Sequence, residues 1–216
     1  MSVTERGFAV ETGALGPIPS GTSILLTGDD TDALEAVFHG FVAPDTDESS
    51  VVLATDLTGR SVQRSLDDAR RQSDERSYVL TAEGRGGSNV ETIDDLSDLT
   101  RLGMEFSSLV ATSQQDAERF RTGILLCSEL CQAVEDTRSV YRFLNSSFLT
   151  DLRRGDGIGV CALNTDDDVG GDANSIVSGL KTSFSVHIEV EKTGVREAEL
   201  TVDGLPDAQE TVTVSL

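Results

Sequence analysis

The chain has 216 residues, 38 of them acidic and 17 basic, and a formal net charge of −21 at pH 7. This length suits a single α/β domain, and the charge argues against a default affinity for nucleic-acid phosphates or anionic lipid. Apolar runs reach only about five residues, far below the ~20 of a membrane-spanning helix, and the first residues contain no apolar core of a signal peptide.

The basic residues are nearly all Arg, because only Lys181 and Lys192 are Lys. An acidic, Lys-poor surface is typical of proteins in concentrated salt, where screening over about 3 Å at molar ionic strength weakens self-repulsion. Three cysteines, an odd number in a chain too long to need disulfides, indicate reduced intracellular thiols. We therefore expect a protein of a halophilic cytoplasm that binds neither nucleic acid nor membrane.

Strands and helices are predicted to alternate along most of the chain. After a turn-rich lead-in over about 1–20, apolar runs predict strands at Ser23–Thr27, Ser50–Thr55, Ser77–Thr81, Thr122–Cys127 and Gly157–Leu163. Apolar residues at helical spacing follow each of these runs. One such helix passes through Val140–Leu152 and is closed by Gly155 as a C′ glycine, and a short one is expected at Ser175–Leu180.

The segment 184–216 is predicted to form a C-terminal hairpin and tail. Phe184–Glu191 and Arg196–Val202 alternate apolar with polar residues, and Lys192–Gly194 lies between them as a turn. Five strands that alternate with helices before an antiparallel pair predict an α/β fold. We expect one domain over 1–216, with three layers: a mainly parallel sheet and helices on both of its faces.

The first strand–turn–helix unit lies where a phosphate-binding loop would lie in such a domain. That loop requires G-x-x-x-x-G-K-[ST], in which the glycines allow close backbone approach, the lysine contacts phosphate oxygens and the hydroxyl holds Mg²⁺. The corresponding residues are Gly28, Asp29, Asp30, Thr31, Asp32, Ala33, Leu34 and Glu35. Ala33, Leu34 and Glu35 therefore stand at the second glycine, the lysine and the hydroxyl.

Negative charge at this turn opposes phosphate binding. A helix N-terminus attracts anions, but three aspartates already lie there and no Lys precedes residue 181. A phosphate ~5 Å from one aspartate would meet roughly 3 kcal/mol of repulsion at an effective dielectric constant near 20. Mg²⁺ would offset part of this repulsion, with Glu35 as a conceivable ligand. The alternative is simple helix capping, since Asp32 and Glu35 have the spacing of a capping box.

Carboxylates that would assist catalysis follow two other strands. Asp56 comes at the end of the second strand, where a water-activating carboxylate would lie. The fourth strand ends in Cys127 and Ser128, with Glu129 one residue late, and a thiol cannot replace a hard oxygen ligand of Mg²⁺. Asp56 and Glu129 are thus the catalytic candidates, and helix capping or a solvated position is the alternative for both.

Several stretches carry a resemblance to a known family: Gly21–Gly28, Val51–Asp56, Ser139–Leu144, Gly155–Val160 and Gly204–Pro206. The first two resemble the start of a RecA/KaiC-like domain of the P-loop NTPase superfamily, and the others are similar to uncharacterised KaiC/RecA-like proteins of halophilic archaea. The resemblance covers about residues 16–206 and implies side-by-side assembly. Only Gly28 matches the nucleotide motif, which implies degenerate Walker A and B motifs.

Other residue groups favour simpler roles. Cys127 and Cys131 have helical spacing, but a zinc site needs two further ligands and neither histidine has a suitable spacing. The acidic loop 164–174 resembles a calcium loop at its first positions, but Val169 and Ser175 replace the turn glycine and the final glutamate. We expect buried thiols, a solvated loop and no metal.

The sequence therefore predicts a catalytically degenerate RecA/KaiC-like domain. It would act as a regulatory or scaffolding module that binds a protein partner or associates with itself, and it would need no cofactor. The alternative is a nucleotide-binding switch or weak ATPase that uses ATP and a non-standard Mg²⁺ site. Nucleic-acid handling is a third hypothesis, which the net charge opposes and only a local basic patch favours; that patch would comprise Arg64, Arg70, Arg71 and Arg76.

Overall fold

The structure is a computed structural model that describes residues 7–10, 15–167, 173–205 and 208–216. Parts of the lead-in over 1–20, of the acidic loop 164–174 and of the turn Gly204–Pro206 lie outside these ranges. The strands are β1 (Ser23–Gly28), β2 (Glu48–Thr58), β3 (Ser77–Glu83), β4 (Val90–Thr92), β5 (Arg119–Leu125), β6 (Asp156–Asn164), β7 (Val186–Gly194), β8 (Glu197–Asp203) and β9 (Thr211–Ser215). The helices are α1 (Thr31–Val42), α2 (Gly59–Ala69), α3 (Leu99–Asp116), α4 (Cys127–Ala133), α5 (Thr137–Phe143), α6 (Leu149–Arg154) and α7 (Ala173–Lys181).

Within the described residues the strands form one sheet in the order β4-β3-β2-β5-β6-β1-β7-β8-β9. β1 lies between β6 and β7 and is parallel to both, with Leu25 opposite Cys161 on one side and His187 on the other. The pairs from β4 to β7 are parallel, whereas β8 is antiparallel to β7 and β9. The predicted fold class is thus confirmed, and a third strand extends its C-terminal hairpin.

Helices cover both faces because the strands bury side chains on both sides. Ile24 and Leu26 of β1 belong to one apolar core with residues of α1 and α2. Leu25 points the other way, into a second core with residues of α3 to α7. Successive strand residues alternate between faces, so a strand buried on both sides is a continuous apolar run. This is the pattern from which β1, β2, β3, β5 and β6 were predictable.

The junction after β5 differs from the prediction. β5 ends at Leu125, and Cys127 begins α4 instead of ending the strand. Leu126 between them has a φ of 55°, which is a left-handed backbone conformation. Such a conformation costs a residue with a Cβ about 1–2 kcal/mol. Apolar composition gave no sign of it, because the run Ile124–Cys127 is uniformly hydrophobic.

Two more boundaries correct the predictions. β7 continues through Lys192 to Gly194, and the hairpin turn lies at Val195 and Arg196. Gly194 is the site of a register shift between β7 and β8, and a bulge, like a turn, favours glycine. Gly155 ends α6 with a φ of −123°, which is extended and not the left-handed C′ geometry.

The predicted long helix before Gly155 consists of three segments. α5 and α6 are joined by a π-helical turn, Leu144–Phe148. The turn packs closely on α3, because a Cβ at Gly103 would lie 2.6 Å from the Ser147 Oγ.

A buried ion pair joins β2, β5 and the amino-terminal segment. The Arg121 side chain is fully buried, and its Nε donates to Glu48 Oε2 at 2.6 Å. Its remaining nitrogens donate to the carbonyl oxygens of Phe41 and Ala9, at 2.7 and 2.8 Å. Every part of the guanidinium is therefore paired, as a buried charge requires.

Candidate functional site

The connection between β1 and α1 is short. β1 ends at Gly28 and α1 begins at Thr31, so only Asp29 and Asp30 lie between them. Ala33 and Leu34 are already in the first turn of the helix, and both side chains are fully buried in the apolar core. Leu34, which was predicted to stand at the motif lysine, is therefore a core residue.

The packing of β1 against β7 explains why residue 28 is a glycine. A Cβ built at this residue would lie 2.8 Å from the carbonyl oxygen of Val190 on the neighbouring strand β7. A contact below 3.0 Å with backbone cannot be relieved by turning a side chain, so glycine is required for β1 and β7 to pair. Close strand packing thus explains the one residue that matches the nucleotide motif.

The N-terminus of α1 is capped by Asp30, not by Asp32 as the capping-box alternative predicted. The Asp30 Oδ1 accepts the backbone N–H of Ala33 at 2.9 Å. Its other oxygen accepts Lys192 Nζ from β7 at 2.8 Å, and this hydrogen bond is the first cause that lowers the pKa of Asp30, followed by the Ala33 N–H. Although no Lys precedes residue 181, this turn does have a lysine, because Lys192 reaches it from a distant part of the chain.

Thr31 is also held by a distant strand. Its Oγ1 accepts the side-chain amide of Asn164, the last residue of β6, at 2.7 Å. The Asn164 Oδ1 in turn accepts the backbone N–H of Asp166 at 2.8 Å. The start of α1 is thereby fastened to both strands that flank β1, since β6 supplies Asn164 and β7 supplies Lys192.

The two catalytic candidates lie at the same edge of the sheet. Partial burial and the charge of Asp167 raise the pKa of Asp56 at the end of β2. Burial, and then the charges of Asp167 and Asp56, raise the pKa of Glu129 on α4. Ser128 donates to Asp167 Oδ2 at 2.7 Å. These carboxylates repel one another, yet among the described residues no three acidic, cysteine or histidine side chains are arranged to hold a metal ion.

Glu35 and His39 line a cleft of about 560 Å³ between α1 and α2. Burial, and then the charges of Asp56 and Asp32, raise the pKa of Glu35 to about 7. Burial lowers the pKa of His39 to about 4, against a hydrogen bond to the Glu35 carbonyl that acts in the opposite direction. Sequence reasoning missed His39. The run of apolar residues on both sides of it in α1 was the available sign of its burial.

The three cysteines are buried and form no disulfide, as predicted. Cys127 of α4 lies in hydrogen-bonding contact with Cys131, and this contact lowers the pKa of Cys127. The contact with Cys161 of β6 and burial outweigh it, so the pKa of Cys127 lies well above its usual value. Thiols that resist ionisation are poor nucleophiles and poor metal ligands.

The architecture is that of KaiC-like proteins. A KaiC-like protein of Pyrococcus horikoshii, PH0186, superimposes with a TM-score of 0.58 at 12% identity, over 91% of this chain and 85% of that one. PH0250 of the same organism gives 0.58 at 14% identity, over 86% and 87%. PH0321, an uncharacterised protein solved in complex with an unknown peptide, gives 0.63 at 11% identity, over 88% and 87%.

Residues 21–190 match the model of a family of unknown function, DUF7504, and the chain belongs to that family. No curated protein matches the sequence. Over the described part of the chain, no helix has the length and apolarity needed to cross a bilayer. The comparisons therefore fix the fold and the family and assign no activity.

Proposed function

We propose that this protein is a RecA/KaiC-like domain that has lost nucleotide chemistry and acts as a regulatory or scaffolding module by binding a protein, either a partner or a second copy. The observation that carries the proposal is the turn between β1 and α1. Its two residues, Asp29 and Asp30, leave no loop to surround a triphosphate, and the lysine position is the buried Leu34.

Charge at this turn supports the same proposal. Asp30 already accepts the Ala33 N–H and the Lys192 ammonium, so a phosphate would have to displace both contacts. An incoming anion would also meet the carboxylates of Asp56 and Glu129, whose pKa values are raised first by burial and then by the negative charge of neighbouring carboxylates. The residues present do not fit ATP and Mg²⁺, and we propose that neither is required.

A protein ligand is consistent with one structural neighbour, PH0321, which was solved in complex with an unknown peptide. RecA-type folds also recur in side-by-side assemblies, an analogy of fold alone. The buried, unpaired thiols agree with a reducing cytoplasm, where we propose the protein works.

Thermal unfolding with and without Mg-ATP tests the proposal. A ligand at 100 times its dissociation constant stabilises the folded state by about 2.7 kcal/mol, so nucleotide binding would raise the midpoint by several degrees. We expect no shift up to millimolar Mg-ATP, and light scattering should show a concentration-dependent oligomer or complexes with a copurified protein. A clear shift with ATP would overturn the proposal.

A nucleotide-binding switch is the second candidate, and Lys192 favours it. This ammonium lies at the N-terminus of α1, where a phosphate-binding cation belongs, although it enters from β7. If Mg-ATP stabilises the protein, Lys192→Ala should abolish the shift, whereas Lys181→Ala on α7 should retain it.

A further inference from the structure

β9 forms one edge of the sheet, and its outer side has no partner strand among the described residues. It comes last in the strand order, and it pairs with β8 on its inner side. β4 at the opposite edge has only three residues, whereas β9 has five. An open edge strand presents a row of N–H and C=O groups to which a further strand can add.

The hydrogen bonds between β8 and β9 show which backbone groups of β9 face outward. The N–H of Val202 donates to the Glu210 carbonyl at 2.8 Å, and the N–H of Leu216 donates to the Arg196 carbonyl at 3.0 Å. In an antiparallel pair, residues that bond to the neighbouring strand alternate with residues whose N–H and C=O point away from it. The outward groups are therefore those of Thr211, Thr213 and Ser215.

The sequence of β9 does not protect this edge. Thr211–Ser215 contains no charged residue and no proline, although 25% of the residues of the chain are charged. Its register with β8 is continuous over the whole strand. Open edge strands usually carry Lys, Pro or a bulge that prevents another strand from pairing. The composition of β9 instead favours pairing.

The inner face of β9 is apolar. Val212 and Val214 are buried in the core that also contains residues of α1. Side chains of an added strand that lie on this face would stand beside the two valines. Apolar side chains suit these positions, because they would extend the existing core.

The outer face of β7 to β9 is acidic. Thr213 lies opposite Glu199 of β8, and Glu199 lies opposite Glu191 of β7. Ser215 likewise lies opposite Glu197 of β8. Glu199 is half-exposed and the other four residues are exposed. A short hydroxyl side chain thus separates the open edge from a carboxylate in each of these two rows.

Long cationic side chains on an added strand would reach these carboxylates. Neighbouring strands are about 4.8 Å apart, so an added strand would lie roughly 10 Å from β8. A Lys or Arg side chain can cross the short Thr213 side chain and bring its charge to Glu199. Lys192, the lysine of these three strands, is engaged elsewhere, because its Nζ donates to Asp30 at 2.8 Å.

We propose that β9 receives an extended segment of a partner protein in which Lys or Arg alternates with apolar residues. The backbone of the segment pairs with the outward groups of β9, its cations lie toward Glu197 and Glu199, and its apolar side chains lie beside Val212 and Val214. A second copy of this chain fits less well, because its β9 is neutral and its net charge is −21. The inference rests on the proposed function and deepens it, since it names the surface and the chemistry of the protein partner.

Calorimetric titration of the full chain with the peptide acetyl-Lys-Val-Lys-Val-Lys-Val-Lys-amide at low salt tests the proposal. We expect saturable binding of a single peptide per chain. The control is the same peptide N-methylated at every residue, which keeps the charge and the side chains but has no backbone N–H to donate. It should bind about tenfold more weakly or less, because strand addition depends on main-chain hydrogen bonds.

Hydrogen exchange of single amides locates the peptide without any variant. Bound peptide should slow the exchange of the outward N–H groups of Thr211, Thr213 and Ser215. The N–H groups of Val212 and Val214 already bond to β8, so their exchange should change much less.

Variants separate the backbone from the charge. Thr213→Pro removes an outward N–H and leaves the bonds to β8 in place, and it should weaken peptide binding by about tenfold or more; Thr213→Val keeps the N–H and should bind like the wild type. Glu199→Gln should weaken binding by about threefold. Its matched control is Glu105→Gln on α3, where the carboxylate pairs with Arg101, and this control should not change the affinity.

Three results would overturn the inference. The first is absence of saturation at millimolar peptide. The second is equal affinity for the N-methylated peptide with unchanged exchange of the outward amides, because binding would then be a general attraction to an acidic surface. The third is a dimer that dissociates in Thr213→Pro and binds no peptide, which would assign the edge to a second copy. All three leave the proposed function standing, since that fails separately if Mg-ATP stabilises the protein.

Discussion

Glu35→Gln should make the protein more stable at alkaline pH than the wild type. The substitution keeps the shape of the side chain and removes its ionisation. In the folded state the pKa of Glu35 is raised from 4.5 to about 7, so between these values the unfolded chain loses this proton first. Wild-type stability therefore falls as pH rises from 4.5 through 7, and Glu35→Gln should not lose this contribution.

The size of the effect follows from the pKa of Glu35. A change from 4.5 to about 7 corresponds to an upper limit of about 3 kcal/mol, at about 1.4 kcal/mol for each tenfold change in proton affinity. The carboxylate is only half-buried, and water screens its neighbours, which reduces the expected gain to about 1–2 kcal/mol. The gain should be complete by pH 8.5.

Urea unfolding at pH 5 and pH 8.5, at one fixed low salt concentration, measures this difference. The stability of Glu35→Gln relative to wild type should rise by about 1–2 kcal/mol between the two pH values. Glu105→Gln makes the same chemical change at an exposed ion pair with Arg101 and supplies the control. An equal offset at both pH values would show that the acidic cleft does not hold a proton on Glu35.

Two further predictions concern packing and buried charge. A Cβ at Gly123 would lie 2.4 Å from the ring of Phe38, so Gly123→Ala should destabilise the fold by about 1–3 kcal/mol in denaturant unfolding. The control is Gly87→Ala, where a Cβ meets nothing within 4 Å, and it should change stability by less than about 0.5 kcal/mol. Equal effects of the two substitutions would contradict the close packing of Phe38 on Gly123. Arg121→Met removes the closer cation from the buried Glu48 and leaves Arg119 at 3.2 Å, and it should cost about 3 kcal/mol, measured in the same way. A loss below about 1 kcal/mol would show that Arg119 alone compensates the buried carboxylate.

The fold could be predicted from the sequence where the local pattern of apolar residues indicates a strand or a helix. β1 and α1 are an apolar run followed by apolar residues at helical spacing, and β1 has nearly the predicted bounds. β4 has only three residues and β9 alternates over five, so neither forms the longer run from which the other strands were predicted. The left-handed conformation of Leu126 could not be predicted either, because it depends on the residues that pack around it.

The candidate site was less predictable because its contacts join distant parts of the chain. Asp30 and Lys192 are 162 positions apart, and the same separation divides Gly28 from Val190. No local pattern indicates that β7 would lie beside β1 and bring Lys192 to the helix N-terminus. The burial of the cysteines was predictable from composition. The lack of a hydrogen-bond partner for His39 Nε2 was not, because it depends on how α1 packs against its neighbours.

The place of β1 in the sheet has a consequence for biosynthesis. Its partners on both sides, β6 and β7, begin at Asp156 and Val186, so both of its edges stay unpaired until all the residues before Asp156 have been synthesised. At about 5–20 residues per second, the wait for these partners is roughly 6 to 30 seconds. An exposed strand with an apolar centre, Ile24–Leu26, is prone to aggregation during that interval, so nascent-chain chaperones should engage this protein early.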